Sequence, residues 1–238
     1  PHHGSSAAAL VGGGSRTMRP GEVSLAHGGV LFLDELGEFA PTVLDMLRQP
    51  LEDGTVRVSR SGGFAEYPAR VLLIAAMNPC PCGGSAAPGG CRCPAAVRAR
   101  YVRRVSGPLL DRFDLRVGVH RPNPSDLLSG EAGESTSEVA SRIRQARRRA
   151  AERGVRANSE LSSRSLEAAA PLDPAAVRLL EAELHAGRLS ARGLQRVRAV
   201  ALTMSDLAGR DVPLDSDLVD TALGLRIDPF RSEGFDVR

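Results

Sequence analysis

Gly29-Val-Leu-Phe-Leu-Asp-Glu35 is the most informative run in the chain. Four apolar residues end in two acids. A short apolar run of this kind suits a buried parallel strand, and the C-terminal ends of such strands are where α/β sheets place their chemistry. It is also the Walker B pattern. With the apolar run buried, both carboxylates emerge at the strand's edge. There Asp34 can hold Mg²⁺, directly or through water, and Glu35 can polarise an attacking water. A strand ending in a solvated acidic turn reads the same way on these residues alone.

Working outward, Pro41–Leu51 carries apolar residues at 43, 44, 47 and 51, one helical face, with Pro41 suited to the first turn. Thr55–Arg60 and Phe64–Arg70 flank Ser61-Gly62-Gly63, a hairpin signal. Val71–Met77 is a second buried strand ending at Asn78-Pro79. Residues 79–96 are too dense in Pro, Gly and Cys for regular structure. Val97–Arg104 and Pro108–Arg112 read as helices, and Leu115–Val119 as another strand. Arg121–Thr136 reads as a linker. Beyond it the pattern is helical only: a basic helix over Val139–Arg153, then Pro174–His185 with Asp173 as its cap, Ser190–Leu207 with Ser190 as its cap, and Asp215–Leu225. The fold expected is an α/β part with a parallel sheet and a hairpin insertion over residues 1–125, then a linker and small all-helical part over 126–238.

Composition excludes one thing outright. All 31 basic residues are arginine, so the chain contains no G-x-x-x-x-G-K-[ST] phosphate loop. Gly12-Gly-Gly-Ser-Arg-Thr17 lacks both the lysine and the spacing, and reads as a flexible turn. Aromatics are only 3%, so aliphatic packing must form the core, and few stacking platforms remain for single-stranded nucleic acid. Net charge is only +3, but it is unevenly placed. Residues 98–121 hold seven arginines against two aspartates, and residues 142–156 hold seven against one glutamate. Such clusters suit phosphate contact; for 142–156 a solvated helix face is the preferred reading. The longest apolar runs, Val30–Leu33 and Val71–Met77, are too short to span a bilayer, and no secretory signal pattern opens the chain. A cytoplasmic location, away from membranes, is expected. Because the chain begins at Pro1, a fragment or processed start is expected too.

Three further positions extend the Walker B reading. Asn78, a polar amide at the tip of the second strand, can orient a water against a γ-phosphate. Arg112, in Gly107-Pro-Leu-Leu-Asp-Arg-Phe-Asp114, can reach a neighbouring subunit's γ-phosphate as an arginine finger. Arg192, in Leu189-Ser-Ala-Arg192, opens a helix of the helical part, where a second sensing arginine can sit. Separately, Cys80, Cys82, Cys91 and Cys93 fall within one Gly/Pro loop. Four thiolates can close a tetrahedral Zn²⁺ site that would organise it. The C-x-C spacing is tighter than the common C-x₂-C. A disulfide pair or reduced, unligated thiols are the rivals, and zinc is favoured over both. His2 and His3 receive no role, and His27, His120 and His185 read as structural.

These motifs carry a resemblance. Pro1-His-His-Gly-Ser-Ser-Ala-Ala-Ala-Leu-Val-Gly-Gly-Gly14, Pro20-Gly-Glu-Val-Ser-Leu-Ala-His27, Leu33-Asp-Glu-Leu36, Ala76-Met-Asn-Pro-Cys-Pro-Cys-Gly83 and Ser106–Asp114 resemble the ComM/YifB family of Mg-chelatase-like AAA+ ATPases, from Pro1 to about Phe230. The resemblance implies a longer parent, with a Lon-protease-like domain and a Walker A loop upstream of the part seen here. It implies ATP and Mg²⁺ as cofactors, a homo-oligomeric and hexameric ring, and DNA as the partner, in branch migration during natural transformation. It implies Asp34 and Glu35 as Walker B, Asn78 as sensor 1, Arg112 as the arginine finger and Arg192 as sensor 2. The Thr55–Arg70 hairpin matches an insertion that faces the central pore in related helicases, so that Arg57, Arg60 and Arg70 meet phosphates; equally, they solvate a hairpin. Two other readings stand beside the DNA-remodelling ATPase: a non-hydrolysing binding or assembly module, for which the missing phosphate loop speaks, and a metal-chelatase motor, against which the cysteine loop speaks. Alone, the chain is expected to bind ATP poorly and turn it over hardly at all.

Overall fold

The computed structural model describes residues 1–14, 17–60, 63–84, 91–119, 124, 128 and 133–226. They form two compact units, one spanning Pro1–Phe113 and one lying within Asp114–Pro229. The first is mixed α/β with a parallel pair of strands, and the second is all-helical, as expected of a partial AAA+ core followed by a helical domain.

In the first unit, Val30–Leu33 pairs in parallel with Leu72–Ala75, in the register Val30↔Leu72 through Leu33↔Ala75. Leu31 and Leu33 point into the core with Leu10, Val23, Phe39, Leu44 and Leu47. The alternate positions, Val30, Phe32, Leu72 and Ile74, are exposed, so the strand is buried on one face only. The hairpin Thr55–Arg60/Gly63–Pro68 is antiparallel, with Val56 and Val58 in the same core; its Ser61-Gly62 turn lies outside the described residues.

Local chemistry accounts for the departures from expectation. The helix read over Pro41–Leu51 is two pieces, Pro41–Asp45 and Arg48–Asp53. Pro50 has no N–H to donate to the Met46 carbonyl, so a continuous helix is interrupted just there. Gly12–Gly13, read as part of a flexible turn, is a buried two-residue ladder against Arg19–Pro20. The backbones approach so closely that a Cβ on Gly21 would stand 2.3 Å from the Gly12 nitrogen. Residues 15 and 16 lie outside the described residues. Leu115–Val119, expected as a strand, joins no ladder. Its Arg116 N–H donates instead to the Leu225 carbonyl, and Leu115, Val117 and Val119 are exposed. His120 and most of the linker expected over Arg121–Thr136 lie outside the described residues.

The helical unit is built on N-caps. Ser135, Ser162, Asp173, Ser190 and Asp215 each accept a backbone N–H three residues on, at the starts of Thr136–Glu152, Ser163–Ala169, Pro174–His185, Ala191–Leu207 and Ser216–Gly224. At the first, Glu138 reaches back to the Ser135 N–H, completing a capping box. Leu166, Leu180, Val197, Leu202, Leu214 and Val219 fill the core. Inside it Arg153 grips Asp206 with two bonds of 2.6 and 2.7 Å, and Asn158 adds a third at 2.8 Å. The basic helix is thus not wholly a solvated face.

Candidate functional site

The parallel pair brings three of the expected residues to one strand end. Asp34 and Glu35 follow Leu33 directly, and Asn78 lies three residues beyond its partner Ala75. The ladder continues past the strands, through Ala76 N–H to the Leu33 carbonyl at 2.9 Å and Leu36 N–H to the Ala76 carbonyl at 2.8 Å. This holds the two tips side by side. Asp34, Glu35 and Asn78 are all exposed.

Glu35 has φ 50° and ψ 47°, the left-handed region, and is the one described non-glycine residue with positive φ. Such a conformation costs of order 1–3 kcal/mol and persists where the surroundings impose it, often at functional sites. Here the imposition is visible. The Glu35 N–H donates to Asp34 Oδ1 at 2.9 Å. Just beyond, the turn is clamped from the helix Ala95–Val102 and the residues after it. Tyr101 packs so close that a Cβ on Gly37 would lie 2.4 Å from its ring, and burial pushes the Tyr101 phenol up. Arg104 donates to the Gly37 carbonyl at 2.9 Å and to Glu38 at 3.2 Å. His3 meets Glu35, with Nδ1 2.8 Å from Oε2. Sequence reasoning gave His3 no role; its one signal was a His-His pair in a segment carrying the family resemblance.

Asp34 spends one carboxylate oxygen on the Glu35 N–H. A single carboxylate with an oxygen left over, at an exposed tip, fits Mg²⁺, which keeps several waters and takes few protein ligands. The residues present do not cradle a triphosphate, for the chain has no lysine.

Arg112 sits elsewhere in this unit, with its side chain 8% exposed. Nε–H donates to the Arg48 carbonyl at 2.8 Å, Nη1 to the Pro108 carbonyl at 2.6 Å, and Nη2 pairs with Glu52. A cavity of about 410 Å³ beside it is lined by Asp45, Glu52, Asp53 and Arg57 among others, and not by Asp34, Glu35 or Asn78. Arg192 is exposed on the first turn of Ala191–Leu207, in the other unit. On the hairpin, Arg57 is paired across the strands with Glu66 at 3.0 Å, which raises its pKa. Arg70 is exposed, and the side chain of Arg60 lies outside the described residues.

The four cysteines converge. All four Sγ atoms lie within 4.8 Å of one another, with Cys80–Cys91 at 3.1 Å, Cys80–Cys82 at 3.4 Å and Cys82–Cys91 at 3.5 Å. All four cysteines are free, for the sulfurs of a disulfide stand about 2.05 Å apart. Zn–S bonds of about 2.3 Å in a tetrahedron set sulfurs about 3.8 Å apart, so these three pairs are slightly closer than that figure. Burial pushes the Cys80 thiol up to about 12, while the N–H that Gly84 donates brings the Cys82 thiol down to about 7. Four sulfurs gathered this closely suit a soft cation. It begins two residues past Asn78 and ends at Pro94, which caps Ala95–Val102. Residues 85–90 of the loop lie outside the described residues.

Comparison with known proteins agrees with this arrangement. Residues 1–127 match the family model for magnesium chelatase, subunit ChlI, and residues 133–226 match that for the ChlI C-terminal part. The chain is 50% identical over 230 residues to an uncharacterized protein of Mycobacterium tuberculosis, covering 95% of this chain and 45% of that protein. It is 41% identical over 227 residues to the competence protein ComM of Haemophilus influenzae, covering 95% and 44%. It is 43% identical over 214 residues to the uncharacterized protein YifB of Escherichia coli, covering 89% and 42%. The chain thus spans less than half the length of these relatives. No helix among the described residues is long and apolar enough to cross a membrane.

Proposed function

The chain belongs to the magnesium chelatase subunit ChlI family of AAA+ proteins, with ComM and YifB among its relatives, and on that footing we propose that it is the Walker B-to-lid portion of a ring-forming ATPase that remodels DNA. The observation that carries this reading is the gathering of Asp34, Glu35 and Asn78 at one end of a parallel strand pair, with Glu35 held in a left-handed conformation. Asp34 would hold Mg²⁺, which would supply positive charge against the phosphates. Glu35 takes the proton of the attacking water as its oxygen bonds to the γ-phosphorus and the bond to the β-phosphate oxygen breaks. Asn78 orients that water. Arg112 stabilises the transition state in the neighbouring subunit, which requires it to leave Glu52 and its two carbonyl partners on assembly. Arg192 senses the nucleotide from the helical unit, and Arg57, Arg60 and Arg70 meet DNA phosphates. The exposed apolar face of Val30, Phe32, Leu72 and Ile74 supports further sheet packing there, because parallel sheets are covered on both faces. DNA as the partner rests on the likeness to a protein named for competence.

The test is Glu35→Gln in the gene product that carries a phosphate loop together with this chain. ATP stays bound and turnover is lost; retained hydrolysis refutes the assignment. A second reading, a non-hydrolysing binding or assembly module, is favoured by the missing lysine. The coding sequence upstream of Pro1 separates the two. A G-x-x-x-x-G-K-[ST] about 30–60 residues upstream supports the ATPase, and a start codon near Pro1 supports the module.

The cysteine cluster holds one structural Zn²⁺ in this reading. Cys80, Cys82, Cys91 and Cys93 supply all four ligands, so no position remains open for catalysis. Bound to zinc, the four cysteines would pin the loop between Asn78 and the helix that clamps the Walker B turn. Metal analysis under reducing conditions is expected to find one zinc per chain, and a sub-stoichiometric content rules it out.

A further inference from the structure

His3 is better anchored than a residue near the start of the described chain needs to be. Its ring lies 3.9 Å from that of His2, tilted by 35°. It stands edge-on to Phe39 at 6.5 Å and 81°, and Phe39 is wholly buried in the core. His2 is tied into the same turn, where its Nδ1 accepts the Gly4 N–H at 3.1 Å and its carbonyl accepts the Ser5 N–H at 2.9 Å. That turn runs straight into the helix Ala7–Val11, capped by Ser6. The anchored ring ends 2.8 Å from Glu35 Oε2.

Glu35 has the opposite character. Its side chain is half-exposed, and a solvated glutamate exchanges freely among its rotamers. A general base works only within hydrogen-bond reach of the proton it takes, directly or through one water. The left-handed backbone aims the side chain but leaves its outer torsions open.

We propose that His3 is a positioning residue for Glu35. Its Nδ1–H donates to Oε2, fixing the carboxylate in one rotamer and leaving Oε1 to receive the proton of the attacking water. His3 touches neither nucleotide nor water and acts only through Glu35. The inference rests on the reading of Glu35 as the base.

The experiment compares His3→Ala, His3→Asn and His3→Gln with Glu35→Gln, in the gene product carrying the phosphate loop, by steady-state ATP turnover. His3→Ala is expected to lower kcat about tenfold, with KM for ATP within about twofold, because orientation is lost and nucleotide contacts are not. The amide nitrogen of His3→Asn overlays Nδ1 and restores most of the rate. That of His3→Gln overlays Nε2 and does not. In a Glu35→Gln background, His3→Ala has no further effect. Turnover by Glu35→Gln itself would sink the base assignment rather than this inference. If Glu35→Gln is dead while His3→Ala keeps full kcat, or raises KM alone, the base stands and the positioning role is overturned. Equal rates for His3→Asn and His3→Gln overturn it too, and that comparison holds even where His3→Ala melts early.

Discussion

Of the carboxylates that meet basic partners in this molecule, Glu35 and Asp206 are opposites. Glu35 is half-exposed at a strand tip, in a strained backbone conformation, beside one imidazole. Asp206 is 1% exposed inside the helical unit, gripped by the Arg153 guanidinium through two bonds and by Asn158 through a third. The buried acid has its acceptor sites filled by its own chain, so it is structure. The exposed acid keeps capacity to act on something else, as the proposed role of Glu35 requires. Exposure, strain and unfilled bonding capacity separate the two where residue type and charge do not.

The widest contrast is in activity. Glu35→Gln is expected to lower ATP turnover in the phosphate-loop-bearing gene product by about 10³-fold, the scale of a lost general base, while denaturant unfolding shifts by no more than about 0.5 kcal/mol, as for other surface changes. Asp206→Ala should do the reverse. Leaving the part-buried Arg153 and the buried Asn158 amide without this partner is expected to destabilise the helical unit by about 1–3 kcal/mol, read as a drop in the urea midpoint. A loss near zero would show that the knot is not structural. Zinc removal comes next. A chelator is expected to lower the melting temperature of the α/β unit and leave the helical unit alone, and equal shifts in both units would argue against a local clamp. The smallest effect is at the capping box. Ser135 hydroxyl and N–H hold Glu138 below the usual carboxylate range. A depressed folded-state pKa stabilises above the unfolded value and is lost as pH falls through the folded one. The start of Thr136–Glu152 should therefore fray in acid, seen as faster amide exchange at Glu138 and Val139, and Glu138→Gln should remove the pH dependence.

Much of this was legible from short-range pattern. The apolar run ending in Asp34-Glu35, the hairpin flanking residues 61–62 and the caps at Asp173 and Ser190 all depend on neighbours within a few residues. The two helices in place of Pro41–Leu51 were legible in principle from Pro50. What escaped were pairings across the chain. Arg153 belongs to a run of arginines that reads as a solvated face, yet its partner is on another helix. Arg57 reads as a free cation on a hairpin, yet Glu66 stands opposite it. His3 carries no periodicity at all, and only folding brings it to Glu35.

The sequence by itself determined the kind and order of the elements, the acidic end of the Walker B strand, the clustering of four cysteines in one loop and the absence of a phosphate-loop lysine. Propensity, capping and hydrophobic period act over a few residues and are written locally. The tertiary structure alone decided the left-handed turn at Glu35, its meeting with His3, the convergence of the four sulfurs and the pairing of Arg153 with the buried Asp206. Those depend on which surfaces pack together, and a packed interior sets such distances through many contacts at once, none of them visible from a single stretch of chain.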